Sequence, residues 1–133
     1  MEIRGSCHCG KVAYEAVVDP ARVTICHCTD CQKLTGSAYR VSVPTPRESF
    51  RLLRGEPRIY IKVGDSGARR VQAFCADCGS PLYTQAAENP TTYGLRVGCI
   101  EERHALVPTK RIWCRSTLDW SVDLRGLETR ERE

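Results

Sequence analysis

The stretch FCADCGSPLY at residues 74–83 contains a CxxC pair followed by a glycine, and the architecture can be worked out from this pair. In such a turn two thiolates converge on one metal ion, and the glycine relieves crowding at the next position. The stretch CHCG at residues 7–10 offers two further thiols ahead of a glycine, roughly seventy positions earlier. We therefore predict a closed four-thiolate zinc site that ties the two stretches together and stabilises the fold. Its ligands are Cys7, Cys9, Cys75 and Cys78.

A second group of cysteines lies in the stretch CHCTDC at residues 26–31. Cys26, Cys28 and Cys31 supply three corners of a tetrahedron, and no further cysteine lies near them in sequence. Three protein ligands with an open fourth position are typical of a catalytic or ligand-binding zinc. We therefore predict a second zinc site whose task differs from that of the first.

Other interpretations of these thiols stay open at this point. Cys99 could complete the group of three and close the second site, and an iron–sulfur cluster also fits three or four cysteines. A thioredoxin-like redox pair at residues 75–78 would need a βαβ context that the sequence does not show. We expect His8 and His27, which stand between ligands, to point away from the metal, and Cys114 to be a core or free thiol.

Length and composition bound the class of protein. The chain has 133 residues, of which 41% are apolar and 27% charged, so we assign residues 1–122 to a single zinc-binding domain. The charged residues 123–133 should form a frayed or briefly helical tail. The N-terminus shows no apolar run of signal-peptide length, so we expect a cytoplasmic protein with reduced thiols. The sequence leaves the oligomeric state undetermined.

Net charge excludes some partners. The formal charge of +4 is too small to predict nucleic-acid binding, and seven metal-bound thiolates with two zinc ions would lower it to about +1. No apolar run is long enough to span a bilayer. We therefore expect a small-molecule substrate, with neither nucleic acid nor membrane as a partner.

Hydrophobic alternation predicts an all-β domain of many short strands with one short helix. The helix should span Thr29–Leu34, with Thr29 or Asp30 as its N-cap and Gly36 as its stop. The predicted strands cover residues 11–18, 38–43 (ended by Pro44 and Pro46), 50–53, 58–63, 69–74, 82–84 and 93–97.

Three stretches together resemble the glutathione-dependent formaldehyde-activating enzyme family, whose domain is shared with centromere protein V. They are GSCHCGKVAYE at 5–15, CHCTDCQKLTGSAY at 26–39 and FCADCGSPLY at 74–83. The resemblance covers about residues 3–120 and weakens from Gly98 onward. It implies a β-tent, which is an all-β zinc fold of stacked antiparallel sheets. It also implies two zinc ions per chain, a structural one in the four-cysteine site and a catalytic one in the three-cysteine site.

The resemblance implies a carbon–sulfur lyase of the S-(hydroxymethyl)glutathione synthase type, which adds glutathione to formaldehyde. A related thiol or another small aldehyde would suit the same site. Glutathione carries two carboxylates, so we expect basic side chains near the second zinc. Two alternatives are a lyase or hydrolase of the same fold acting on a different small molecule, and a non-catalytic zinc-binding interaction module. The expected substrate-binding residues are Gln32, Lys33, Thr35, Arg40, Arg96 and Arg111.

Overall fold

Ten β-strands form two sheets in the computed structural model, which describes residues 1–133. The strands are β1 (Glu2–Ser6), β2 (Ala13–Val17), β3 (Thr24–Cys26), β4 (Arg40–Pro46), β5 (Phe50–Arg54), β6 (Arg58–Val63), β7 (Arg69–Phe74), β8 (Pro81–Ala86), β9 (Thr92–Arg96) and β10 (Lys110–Ile112). The smaller sheet has the order β1-β2-β5, and the larger has the order β10-β3-β4-β9-β8-β7-β6. One α-helix, α1 (Thr29–Thr35), links β3 to β4. The predicted all-β class with a single short helix is confirmed.

Strand direction departs from the prediction at one edge of the larger sheet. All other neighbouring strands are antiparallel, but β10 runs parallel to β3, so the expectation of purely antiparallel sheets is wrong for this pair. A long connection separates the two strands, so the chain can arrive at β3 from either end. The hydrophobic pattern does not predict β1, β3 or β10, which are only three to five residues long.

The prediction that Pro44 and Pro46 end a strand is wrong for Pro44 only, because β4 continues through Pro44 and ends at Pro46. β3 pairs with β4 only as far as Ser42, whereas β9 pairs with β4 through Pro46. The prolines therefore occupy a part of β4 that has a partner strand on one side only. A proline, which has no N–H, is tolerated at such an edge.

The N-cap of helix α1 lies just before the two residues predicted for it. Neither Thr29 nor Asp30 caps the helix; the N-cap is Cys28, whose Sγ accepts a hydrogen bond from the N–H of Cys31 at 3.3 Å. A cysteine sulfur thus takes the position that usually belongs to a serine or aspartate oxygen. The predicted stop is confirmed, because Gly36 adopts φ of 61° and closes the helix in the left-handed conformation.

The hydrophobic core lies between the two sheets. The strands of the larger sheet point alternate residues into it, among them Val43 and Leu95, which are fully buried. Tyr14 of β2 is also fully buried and packs against Phe50, with ring centroids 5.3 Å apart. The opposite face of the larger sheet is more polar, and helix α1 lies against it.

The chain after the last 3₁₀ turn, Asp119–Val122, contains neither helix nor strand, so the briefly helical tail is not found. Residues 123–133 are exposed throughout. No helix of this protein combines the length and apolar character needed to cross a bilayer.

Candidate metal centres

Four cysteines from two distant turns meet at one edge of the fold. Cys7 and Cys9 lie in the turn between β1 and β2, and Cys75 and Cys78 lie in the turn between β7 and β8. Their Sγ atoms all lie within 4.8 Å of one another. The Sγ atoms of Cys7 and Cys9 are 3.6 Å apart, and those of Cys9 and Cys75 are 3.7 Å apart. These distances far exceed a disulfide bond and match the spacing of about 3.8 Å between thiolates around tetrahedral zinc. The donor set therefore fits a four-thiolate metal ion.

The two turns carry the backbone conformation that this convergence requires. Gly10 and Gly79, which follow each pair, have φ of 79° and 76°, where a side chain would be strained. The Ser80 hydroxyl lies 3.3 Å from the sulfur of Cys78. Hydrogen bonds from the Ser80 hydroxyl and backbone N–H lower the pKa of Cys78 to about 5. At least one thiol of this group is therefore a thiolate at neutral pH, which is the form that binds metals.

The second group joins the end of β3 to the start of α1. Cys26 is the last residue of β3, Cys28 caps the helix and Cys31 lies in its first turn. Their Sγ atoms also lie within 4.8 Å of one another, and no fourth cysteine, histidine or carboxylate joins them. Cys26 and Cys31 are buried, whereas Cys28 is half-buried. The group can therefore hold one metal ion by three thiolates and leave one coordination position to a small ligand.

The thiols of the second group differ in acidity. Burial raises the pKa of Cys31 to about 12, and hydrogen bonding to Cys28 adds to this effect. Burial also acts to raise the pKa of Cys28, but hydrogen bonds from the Cys31 side chain and backbone outweigh it, so this pKa is lowered. Cys28 is the thiol of this pair that ionises more readily.

Two of the predicted substrate-binding residues, Gln32 and Thr35, make hydrogen bonds to backbone carbonyls around the three-cysteine group. The Gln32 side-chain amide donates to the carbonyls of His27 and Ser116, at 2.9 and 3.0 Å. The Thr35 hydroxyl donates to the carbonyl of Cys31 at 2.7 Å. Gln32 therefore fastens α1 to the segment that follows β10. A direct contact of either residue with substrate stays a prediction.

His27 lies between two of these cysteines but does not join them. It is buried, and its Nε2 accepts a hydrogen bond from Nε of Arg111 at 3.1 Å. Its ring also meets Tyr39 edge to face, with centroids 5.4 Å apart. Burial and the Arg111 charge lower the pKa of His27, so the imidazole stays neutral at pH 7. In this structure Arg111 anchors β10 to the loop of the second group.

The other predicted basic residues are placed differently. Arg40 pairs in register with Cys26, and Arg96 lies one strand further along the sheet, opposite Ser42. Arg96 is only 6% exposed. Lys33 is exposed on α1. Arg40 and Arg96 thus lie beside the second group, and their role in substrate binding stays a prediction.

The remaining thiols join neither group. Cys99 donates its S–H to the carbonyl of Pro81 at 3.2 Å, so it does not close the three-cysteine group. Cys114 is exposed and has no assigned role. His8 is also exposed and binds Ser80 only through its backbone N–H.

Sequence reasoning missed two residues that the fold brings towards the second group, Arg70 and Gln72 of β7. Gln72 accepts a hydrogen bond from Arg96 at 2.8 Å. The alternation in the stretch RRVQAF at residues 69–74 contains the signal, since Val71 and Ala73 face the core. Residues 70 and 72 must therefore point to the opposite face of the sheet.

Comparison with known proteins agrees with this arrangement. The chain is similar to an uncharacterized lyase of Schizosaccharomyces pombe, with 26% identity over 82 residues. That match covers 62% of this chain and 56% of the yeast protein, so the chain spans about half the length of this relative. A crystal structure of a Rhodobacter sphaeroides protein has the same fold, with a TM-score of 0.63 and 24% identity, over 81% of this chain and 98% of that one.

The family itself is shown by a match along most of the sequence. The sequence model described as "Glutathione-dependent formaldehyde-activating enzyme" matches residues 2–116, which include both cysteine groups and every strand. The cysteine motifs that carry the resemblance are the same ones that the fold gathers into two groups. This chain belongs to the glutathione-dependent formaldehyde-activating enzyme family.

Proposed function

We propose that this protein binds two zinc ions and is a carbon–sulfur lyase-type enzyme that adds glutathione, or a related thiol, to formaldehyde. The observation that carries this proposal is the three-thiol group of Cys26, Cys28 and Cys31, which offers a metal three protein ligands and leaves one side open. The family match and the lyase name of the yeast relative support the same class of reaction.

The two cysteine groups would have different roles, one structural and one catalytic. The four-thiol group is closed by the protein itself, so its zinc has no position for substrate and serves the fold. Zinc in the three-thiol group would supply a site that lowers the pKa of a bound thiol or polarises a carbonyl oxygen. Three thiolates donate charge to the ion, so Lewis acidity at this site is weaker than at a three-histidine site.

The other residues around the three-thiol group would hold the thiols and the reactants in place more than they would act as acids or bases. Gln32 holds α1 against the segment after β10, and Arg111 holds β10 against the loop at His27. These bonds hold the end of β3 and the start of α1, which carry the three thiols, against β10 and the segment after it. A thiol and an aldehyde held together there would gain from proximity, which can supply several kcal/mol of the barrier.

Metal analysis and an exchange-rate measurement test this function together. The wild type should contain about two zinc ions per chain and should accelerate the exchange of glutathione with its formaldehyde adduct, measured by NMR exchange spectroscopy. Cys28→Ser should lose one zinc ion and the acceleration, while the exposed control Cys114→Ser should keep both. A wild-type exchange rate equal to the spontaneous rate would refute the proposed reaction. Bound iron with visible colour would refute the zinc assignment.

A further inference from the structure

Five large apolar side chains are exposed in one segment near the end of the chain. The segment covers residues 112–124 and contains two 3₁₀ turns, Cys114–Ser116 and Asp119–Val122. Both tryptophans of the protein lie in it, and they are 56% and 66% exposed. Single apolar residues scattered over a surface are ordinary, but a concentration of them in one place is typical of a contact site. The five residues are Ile112, Trp113, Trp120, Val122 and Leu124.

The usual orientation of polar and apolar side chains is reversed in the 112–124 segment. Ser121 is buried, and its hydroxyl donates to a backbone carbonyl three residues earlier at 2.6 Å. Its neighbours Trp120 and Val122 are each more than half exposed. The carbonyl of Ser116 accepts the hydrogen bond from Gln32 that fastens the segment to α1. Small polar groups therefore hold the segment to the domain, while its tryptophans face solvent.

Trp113 is held in a backbone conformation that a bulky residue rarely adopts. Its φ of 56° and ψ of 40° lie in the left-handed region, where a side chain of this size is strained. The Trp113 carbonyl accepts a hydrogen bond from the N–H of Ser116 at 3.0 Å, which closes the turn. Strain of this kind is concentrated at functional sites, so it agrees with a contact role for this exposed ring.

The exposed apolar area matches what a dimer interface needs. From their exposed fractions, the five apolar side chains present roughly 500 Å² to solvent. A standard interface between two proteins buries about 800 Å² on each partner, of which about 60% is apolar. The segment can therefore supply the apolar part of one such interface. It also adjoins β10, the outermost strand of the larger sheet, whose outer edge has no partner strand.

The charges of the segment favour a second copy of this chain as the partner. Asp123 is already paired with Arg125 at 2.8 Å. Arg115 and Asp119 are exposed, and neither forms an ion pair within the chain. When two copies meet about a two-fold axis, a cation and an anion on the same surface can each face their opposite in the other copy. A strongly acidic or strongly basic partner would find no matching charge on this balanced surface.

We propose that the 112–124 segment is the interface of a homodimer with two-fold symmetry. In it the exposed tryptophans of the two copies bury one another, and Arg115 of each copy pairs with Asp119 of the other. The interface lies close to the three-thiol group, because Ile112 pairs in register with Cys26. The proposal goes beyond the proposed reaction and does not depend on it, since it concerns only the surface of the folded chain.

Sedimentation equilibrium of the zinc-loaded protein tests this interface. At roughly 50 μM the wild type should have twice the chain mass of 14.9 kDa, because interfaces of this size have micromolar or lower dissociation constants. Trp120→Glu should raise the dissociation constant about a hundredfold or more, since it removes an aromatic anchor and adds a like charge to both copies. Val63→Glu is the matched control, because Val63 is 64% exposed and lies in β6, at the opposite edge of the larger sheet. It should sediment as the wild type does.

Exchanging the two charges tests the proposed orientation of the copies. Arg115→Glu and Asp119→Arg should each weaken the dimer about tenfold, because each places like charges opposite one another in both pairs. The double variant should recover most of the wild-type affinity. Tryptophan fluorescence provides a second measurement, since both tryptophans lie in the segment. Their emission should shift to longer wavelengths whenever a single charge variant dissociates the dimer.

Several results would overturn the proposal. A wild type that sediments as a monomer would leave a different protein as the partner of this segment. A dimer that Val63→Glu dissociates as fully as Trp120→Glu, or whose dissociation leaves the tryptophan emission unchanged, would have its interface elsewhere. A double charge variant as weak as either single variant would refute the reciprocal pairing. Far-UV circular dichroism and zinc content identify a variant that fails to fold, and in that case the charge exchange decides the question.

Discussion

Breaking the four-thiol group should cost this protein more stability than breaking the three-thiol group. Cys9 and Cys75 are 66 residues apart along the chain, whereas Cys26 and Cys31 are only five apart. A metal that joins distant thiolates restricts the unfolded chain as a crosslink does, and this effect grows with the logarithm of the loop length. The crosslink relation gives roughly 4 kcal/mol for the long loop and about 2 kcal/mol for the short one at 25 °C. Typical domains have only about 5–15 kcal/mol of stability in total.

Urea unfolding under reducing conditions, followed by far-UV circular dichroism, measures this difference. In zinc-loaded protein, Cys78→Ser should lower the free energy of unfolding by about 4 kcal/mol. Cys28→Ser should lower it by about 2 kcal/mol or less, because a serine at this position can still cap α1. The exposed Cys114→Ser is the control and should leave the midpoint unchanged.

Chelation supplies the second arm of the experiment. Excess EDTA should bring the wild type about 2 kcal/mol below zinc-loaded Cys78→Ser, because it removes both metal ions whereas the variant keeps the ion of the three-thiol group. Equal losses in Cys78→Ser and Cys28→Ser would refute the argument from loop length. A wild type that keeps its full stability in EDTA would refute the role of a bound metal in the fold.

Three further substitutions test the packing and the positioning of the site. Gly5→Ala should lower the free energy of unfolding by about 1–3 kcal/mol or more, because its Cβ would overlap the Tyr14 ring. Gly126→Ala, where a Cβ meets no atom within 4 Å, should have little effect, and equal losses in the two variants would contradict the packing. Leu95→Ala removes a fully buried side chain and should cost about 2–5 kcal/mol in the same urea assay. Gln32→Leu should slow adduct exchange about tenfold while zinc content stays at wild-type level, because two hydrogen bonds that fasten α1 are lost. A normal rate in that variant would show that the fastening does not matter for the reaction.

The cysteine groups show which contacts can be predicted from short sequence motifs alone. A CxxC turn followed by glycine brings two thiols together whatever the rest of the chain does, so Cys75 and Cys78 are paired by local geometry alone. The same holds for the CxCxxC stretch, whose three thiols need only one turn of helix. Joining the first pair to Cys7 and Cys9 required chemical reasoning, since a tetrahedral ion needs two more ligands.

Local rules also failed at identifiable places. The N-cap is Cys28 and not the expected threonine or aspartate, because the Cys28 sulfur accepts a hydrogen bond from the N–H of Cys31 in the first turn of the helix. Strand β4 continues through Pro44 and ends only at Pro46, because its pairing with β3 stops at Ser42 and leaves that side of the strand free. In both cases the end of the helix or strand depends on a contact, of the cysteine sulfur with the helix or of β4 with β3, that the hydrophobic and capping patterns do not predict.

The all-β class, the helix with its glycine stop and the division of seven cysteines into a four and a three could all be predicted from the amino-acid sequence. These features depend on periodicity, turn chemistry and ligand spacing, which act over a few residues. The parallel pairing of β10 with β3, and the burial of Arg96 without a carboxylate partner, became visible only in the folded chain. Those facts depend on strand order and register, which are set by contacts between residues far apart in the chain. A buried, incompletely paired guanidinium such as Arg96 is costly only in its folded surroundings, and those surroundings include Gln72 of β7 and Arg40 of β4, which are far from it in the chain.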